Sequence, residues 1–367
     1  MAYGQVNADV IGTSVVGSNL GAGNASIMKN RIINGSMTID QRNAGASVAV
    51  TSSNYSVDRW FGQASQTSKF TLQQNAGSVT PPAGFTNYLG ATSSSAYSVG
   101  SGDYFSLNQK IEGFNTADLG WGTANAKTVT LSFQAYSSLT GTFGGVLANS
   151  AGTRSYPFTY SIPVANTWTS ISITIAGDTT GTWLTTNGVG INIQFGLGVG
   201  STYSGTAGSW AGANYVSATG ATSVVGTSSA TFYITGVQLE VGSSATGFEY
   251  VNYQTSLANC QRYYQSINAA NSAQAYNSFA NGFVVASTYA FFQYPMLSSM
   301  RTAPTLLNAA VGQYRVSFNT CTALAISSAS PNAVSIRADS TGLTTGYGCE
   351  LDANNNNTAY LALSAEL

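Results

Sequence analysis

The sequence predicts an all-β chain: a large β-sandwich, a short helix, then a second and smaller β domain. Three observations predict it. Apolar residues recur at every second position through most of the chain, as in a strand with one face buried. The 40 glycines, 21 tyrosines and 16 phenylalanines, beside abundant Ser, Thr and Val, favour short strands joined by tight turns. Only one stretch, near residue 255, carries helical spacing. With 367 residues the chain is long enough for two or three domains, since soluble domains run to about 100–200 residues.

Residues 1–27 are rich in Gly, Asn, Ser and Ala and hold too few apolar groups to offset the entropy of ordering. Two readings stand for this arm: a loose terminus, or an anchor that orders on another protein. From residue 28 to 252 alternation dominates. Val189, Ile191, Ile193, Phe195, Leu197 and Val199 alternate with Gly, Asn and Gln; Val129, Leu131, Phe133 and Ala135 do so against Thr, Ser and Gln. Ile171, Ile173 and Ile175 repeat the pattern, and all three runs read as sandwich strands. In Thr231 to Glu240 the apolar phase slips by one residue at Gly236, which predicts a β-bulge there. The segment Gly196 to Asn214 is Gly-, Ser- and Thr-rich and reads as a long loop carrying Tyr203 and Trp210.

The smaller domain is expected over 253–367. Thr255 or Ser256 can cap a short helix with Leu257, Cys260, Gln261 and Tyr264 on one face. Alternation resumes at Phe283, Val285, Ser287, Tyr289 and Phe291, again around Tyr314, Val316 and Phe318, and last near Tyr360. Asp352 to Asn357 reads as a tight turn, because Asn tolerates left-handed backbone.

Charge excludes several function classes. Charged residues make up 7% of the chain, against about 25% in ordinary proteins, so solubility rests on uncharged polar groups. Twelve basic and 13 acidic side chains, thinly spread, form no patch able to neutralise consecutive phosphates, so nucleic acid is not an expected partner. No run approaches the roughly 18 apolar residues of a membrane span, and no basic leader precedes an apolar stretch, so membrane insertion and secretion are not expected. An exterior type of composition without an export route fits a particle assembled inside a cell and released by lysis. Cys260, Cys321 and Cys349 are odd in number and read as reduced and buried.

The absence of histidine removes Ser-His-Asp and Cys-His nucleophile arrangements and the commonest zinc sites. A glycosidase needs only two carboxylates, but the acids here are dispersed singly. Glycines at 196, 198 and 200 lie in strand sequence with no following helix or Lys, so they do not cradle phosphate. The expectation is a protein without catalytic residues and without a required cofactor.

The pieces KNRIING (29–35), IDQR (39–42), VDRW (57–60), YITGVQLEVG (233–242), ATGFE (245–249), CQRYY (260–264) and MRTAPT (300–305) occur in this order. Together they resemble a group of bacteriophage tail-fibre and minor virion structural proteins. That resemblance implies a central jelly roll like a carbohydrate-binding module, closed by the VQLEVG strand, then a distal β domain, in a trimeric subunit. It brings no catalytic motif. The arm before residue 28 and the stretch after 305 lie outside it. Among the motif residues, Asp40 and Arg42 are two apart and would form a local ion pair on one strand face, while the adjacent Asp58 and Arg59 each need a partner elsewhere. Jelly-roll modules often hold a structural calcium, for which Glu240 and Glu249 are candidates, but two carboxylates fall short of the six to eight oxygens required.

Sugar recognition is the chemistry the side chains suit. Aromatic faces stack on the C–H face of a pyranose, while Asn, Gln, Ser and backbone groups bond its hydroxyls. The candidates are Trp168, which is out of phase with Ile171, Ile173 and Ile175, and Trp183, Tyr203, Trp210 and Tyr215 in Gly-rich loop sequence. Ordinary packing is the alternative for each; Trp60 and Trp121 are assigned to the core. The expected role is a virion-exterior fibre or spike subunit that docks through its N-terminal arm to other virion proteins and contacts a host-surface glycan. A purely structural decoration or head or neck fibre is the second reading, and a glycan-cleaving tailspike the third.

Overall fold

A computed structural model describes residues 28–268, 275–308 and 310–367; the expected attachment arm, residues 1–27, lies outside the described residues. The described residues are nearly all β, with one α-helix, Tyr253–Gln261. Among the described residues no helix is long and apolar enough to cross a membrane.

Two compact units divide the chain. The first comprises the described residues up to Thr38, Ala49–Asn54 and Gly62–Tyr250; the second comprises Ile39–Val48, Tyr55–Phe61 and the described residues of Val251–Leu367. Alternation alone draws a single boundary after residue 252. The structure places two short early segments, which carry IDQR and VDRW, with the C-terminal unit.

The first unit is a sandwich of two six-stranded sheets. The order in one sheet is Val48–Ala49, Phe70–Gln74, Leu89–Ser93, Thr231–Val241, Val129–Ser137, Thr169–Ile175. The other runs Ser53–Tyr55, Phe61–Ala64, Tyr104–Glu112, Val189–Val199, Gly141–Ala148, Ser155–Ile162. Central strands pair antiparallel with neighbours distant in sequence: Thr231–Val241 lies between Leu89–Ser93 and Val129–Ser137, and Val189–Val199 between Tyr104–Glu112 and Gly141–Ala148. The alternating apolar positions meet between the sheets. Phe133 contacts Phe195 and Tyr160 at ring distances of 5.0 and 5.1 Å, and Phe143 stacks on Phe232 at 5.8 Å. Each such ring, taken fully out of water, contributes about 1.5–3 kcal/mol. The Tyr160 hydroxyl is the exception in this layer: it is buried and has no hydrogen-bond partner among the described residues.

The bulge expected at Gly236 is present. Register shifts between Thr235 and Gln238, and Gly236 takes φ +61°. The loop after residue 200 folds onto the outer face of the second sheet, where a short parallel pair joins Ser204–Gly205 to Ser217–Ala218. Side-chain carbons at Gly144 and Gly196 would stand 2.6 and 2.5 Å from the Ser217 hydroxyl, so the absence of side chains there admits the loop.

In the second unit the helix begins earlier than the Thr255 or Ser256 cap predicts: Asn252 is the cap, its side chain accepting from Thr255 N at 2.9 Å. Cys260 is buried as expected, but Tyr264 starts the strand Tyr264–Asn268 and does not extend the helical face. That strand, Tyr360–Ser364 and Thr305–Asn308 form a three-stranded sheet; seven further strands form a second sheet. The run from Phe283 to Phe291 is a hairpin, Ser278–Ala286 with Tyr289–Gln293. Its core-facing residues are Val284, Ala290 and Phe292, while Phe283 is exposed: the alternation keeps one phase through the turn, and the expected set Phe283, Tyr289 and Phe291 packs together on the face away from the core. Tyr314 and Val316 are buried, and Phe318 is exposed. All three cysteines are free and buried.

Candidate functional site

The outer face of the first unit's Thr231–Val241 sheet carries the side chains out of phase with the core. Ser132, Gln134 and Tyr136 lie on one strand, opposite Ser172, Ser170 and Trp168 along the next. Gln134 and Ser170 are a registered pair, bonded Gln134 Nε2 to Ser170 Oγ at 2.9 Å and Ser170 Oγ to Gln134 Oε1 at 3.0 Å. A groove of about 380 Å³ opens over this floor, lined by Ser132, Gln134, Ser170 and Ser172 below and by Phe85, Phe248 and Tyr250 along one wall. The ring of Phe85 meets Phe248 at 5.1 Å and Tyr250 at 5.9 Å; Phe248 meets Tyr250 at 5.1 Å. Tyr250 is 64% exposed.

Two loops bring this wall into position. The first descends from Val79 through Pro81, Pro82 and Gly84 to Phe85. Its start is held by Trp168 Nε1 donating to Thr80 O at 2.9 Å and by Val79 N donating to the Tyr88 hydroxyl at 2.8 Å. Its end rests on the bulge: a side-chain carbon at Gly236 would stand 2.5 Å from the Phe85 ring. The second loop, after Val241, carries Phe248 and Tyr250. Glu240 accepts from Thr246 N at 2.8 Å and from the Thr246 hydroxyl at 2.7 Å, and also from Gln238 at 2.8 Å. Glu249 N donates to Gln238 at 2.8 Å, the Glu249 carboxylate accepts from Asn30 N at 2.6 Å, and Lys29 Nζ donates to Gly247 O at 2.7 Å. The KNRIING, VQLEVG and ATGFE pieces are therefore parts of one brace beneath the wall. Glu240 and Glu249, the calcium candidates, bond protein donors, and among the described residues no group of three or more His, Cys, Asp and Glu side chains gathers as a metal site.

The five aromatic candidates do not form one site. Trp168 is on the groove's sheet face, half-buried between Tyr88 and Tyr136 at 5.5 and 5.4 Å. Trp183 and Trp210 meet each other at 5.4 Å and meet Trp121 at 4.8 and 5.3 Å. The indole N–H groups of all three are satisfied, by Lys127 O for Trp121, by Thr180 O for Trp183 and by Ala176 O for Trp210. Beside them Arg154 grips Asp178 with two bonds of 2.7 Å. Burial pushes the Asp178 carboxyl up, but the Arg154 and Thr180 donors outweigh it and hold the group below the usual carboxylate range. This cluster packs loop ends together. Tyr203 packs edge-on against Tyr104 at 5.1 Å, and the Tyr215 ring fills the space beside Gly205. Alternation puts Gln134 and Ser170 on the outer face without marking them as a site, and neither it nor tryptophan content points to Phe85, Phe248 and Tyr250. The one signal pointing to them is the ATGFE piece, which contains Phe248.

In the second unit the remaining motif pieces meet around Glu366. Arg42 bonds Glu366 at 2.7 Å, Arg59 bonds its other oxygen, and Arg301 holds Ala365 O and Glu366 O at 2.8 and 2.9 Å. Arg42 lies over the Tyr264 ring and Arg59 over the Tyr263 ring, each at 3.6 Å. The expected Asp40–Arg42 ion pair is replaced. The segment is a turn, and Asp40 accepts the backbone N–H groups of Arg42, Asn43 and Gly45 at 3.2, 2.8 and 2.7 Å. Asp58 is bonded by Gln41 and lies 3.9 Å from Arg42. Burial raises its carboxyl to about 6, with Arg42 and Gln41 opposing the rise.

No protein-family model matches the sequence, and no curated protein matches it. Among solved structures, the chain is similar to the enzymatically active domain of tailspike protein 4 of bacteriophage CBA120, with a TM-score of 0.33 and 14% identity. That similarity covers 58% of this chain and 22% of the tailspike chain. A putative sugar binding protein from Bacteroides thetaiotaomicron is similar over 58% of this chain and 100% of its own, with a TM-score of 0.31 and 14% identity. A family 11 carbohydrate-binding module of a Clostridium thermocellum cellulase covers 56% and 100%, with a TM-score of 0.27 and 12% identity.

Proposed function

We propose that the chain is a non-catalytic subunit of a phage particle's exterior and that its first unit holds a host-surface glycan in the groove beside Phe85, Phe248 and Tyr250. One observation carries the glycan reading: an aromatic wall stands over a floor of hydroxyl and amide side chains on a rigid sheet. Ring faces cover the C–H surface of a sugar while Gln134, Ser170, Ser132 and Ser172 exchange hydrogen bonds with its hydroxyls. Among the described residues the groove lining has no carboxylate, thiol or basic group to move a proton, which supports binding without turnover. The ordered motif pieces and the sparsely charged polar composition support the virion assignment, with docking by the N-terminal arm and a homotrimeric subunit as parts of the same proposal.

A glycan array probed with the purified chain tests the reading. Signal on host-surface saccharides that falls at least about tenfold in Tyr250→Ala supports it. A uniformly blank array leaves the structural-decoration reading, and release of new reducing ends from host polysaccharide would favour the tailspike reading.

A further inference from the structure

We infer that the groove accepts an uncharged saccharide and discriminates against sugars bearing carboxylate, sulfate or phosphate; this rests on the groove being the glycan site. Among the described residues none that line it is charged. The ionic groups of the brace bond protein atoms, and its two carboxylates, Glu240 and Glu249, outnumber the single ammonium of Lys29. Lys29 donates to Gly247 O at 2.7 Å, Glu240 bonds Thr246 and Gln238, and Glu249 accepts from Asn30 N.

An acidic sugar entering this groove loses water from its anion and, among the described lining residues, meets no cation or guanidinium in return. A neutral sugar meets groups like its own: Ser hydroxyls and the Gln134 amide both donate and accept, as sugar hydroxyls do. The Gln134–Ser170 pair opens toward a ligand without exposing a charge, since each partner can trade its neighbour for a sugar hydroxyl. Selectivity here comes from the absence of a counter-charge, and salt leaves it unchanged.

The test compares neutral probes (cello-, malto- and manno-oligosaccharides and a galactan oligomer) with oligogalacturonate and oligosialic acid of matched length, by calorimetry on the full chain and on Tyr250→Ala and Gln134→Lys. The expected result is that at least one neutral probe binds about tenfold or more tighter than every acidic probe. Its affinity changes less than about twofold between roughly 0.05 and 0.5 M salt, and it is lost in Tyr250→Ala. Gln134→Lys, which places an ammonium on the floor, should raise affinity for the acidic probes.

Acidic probes that bind as tightly as neutral ones, and lose binding in Tyr250→Ala, would overturn the uncharged class while leaving the groove a glycan site. Neutral binding that survives Tyr250→Ala would move the site elsewhere. No binding by any probe would remove the glycan reading itself.

Discussion

Gln134 and Ser170 face each other across two adjacent strands and exchange hydrogen bonds in both directions, at 2.9 and 3.0 Å. Backbone register fixes the pair, because each residue is the other's Cα partner. Gln134→Ala removes the amide and leaves the sheet intact. Glycan affinity should fall about tenfold, the value of one or two neutral hydrogen bonds, while the unfolding midpoint moves by no more than about 2 °C. Calorimetric titration beside a thermal melt checks both.

Tyr160 offers a different test, of the core. Its ring packs against Phe133 and Phe143, yet its hydroxyl is buried without a partner among the described residues, and burial pushes the phenol well above its ordinary range. Tyr160→Phe deletes the unpaired group and keeps the ring. Stability should be unchanged or higher by about 1 kcal/mol, or about 2–4 °C in the melting of this unit. A loss of more than about 1 kcal/mol would mean the hydroxyl has a partner in solution.

Glu366 has the largest expected effect. Its carboxylate is 9% exposed and compensates both Arg42 and Arg59, whose side chains are 11% and 1% exposed. Glu366→Ala leaves two guanidinium groups without it and should cost about 3–5 kcal/mol, read by chemical denaturation. Glu366→Gln, isosteric but neutral, should recover part of the loss. Equal stability of all three proteins would show that the network adds nothing.

Asp58 sets a pH dependence of the same unit. Its folded carboxyl is raised to about 6 from an ordinary 3.8, mainly by burial. The folded chain therefore keeps this proton over a range in which the unfolded chain has released it. Stability from this group is fully present below pH 3.8, falls as pH rises to about 6, and is level above that. Asp178 acts in the opposite sense: its carboxyl is held down, so its contribution is present above the ordinary carboxylate range and lost on acidification. Subtracting the curve of Asp58→Asn from that of the parent protein isolates the first effect. A difference that rises with pH between about 4 and 6 would contradict it.

The fold was readable where one face of a strand is dry. Val129 to Ala135 and Val189 to Val199 announce themselves by period, and the slip at Gly236 predicts a bulge that the register shift reproduces. Period fails at the hairpin from Ser278 to Gln293, where both faces carry apolar side chains and the set with Phe283 and Phe291 faces away from the core. It also says nothing about Ile39–Val48 and Tyr55–Phe61, whose Arg42 and Arg59 pair with Glu366, 324 and 307 positions away. The groove was harder to read than the fold. Tryptophans draw attention as large flat surfaces, yet Trp183 and Trp210 are engaged with Trp121, while Phe85, Phe248 and Tyr250 converge only because two loops are braced from below.

The two early segments of the second unit have a consequence for synthesis. Arg42 and Arg59 leave the ribosome more than 300 residues before the carboxylate that neutralises them, the separations being 324 and 307 positions. The sandwich strands from Gly62 to Tyr250 are complete well before that moment. The nascent chain therefore carries these two arginines without Glu366 until that residue emerges, and the Glu366 network of the second unit can close only then.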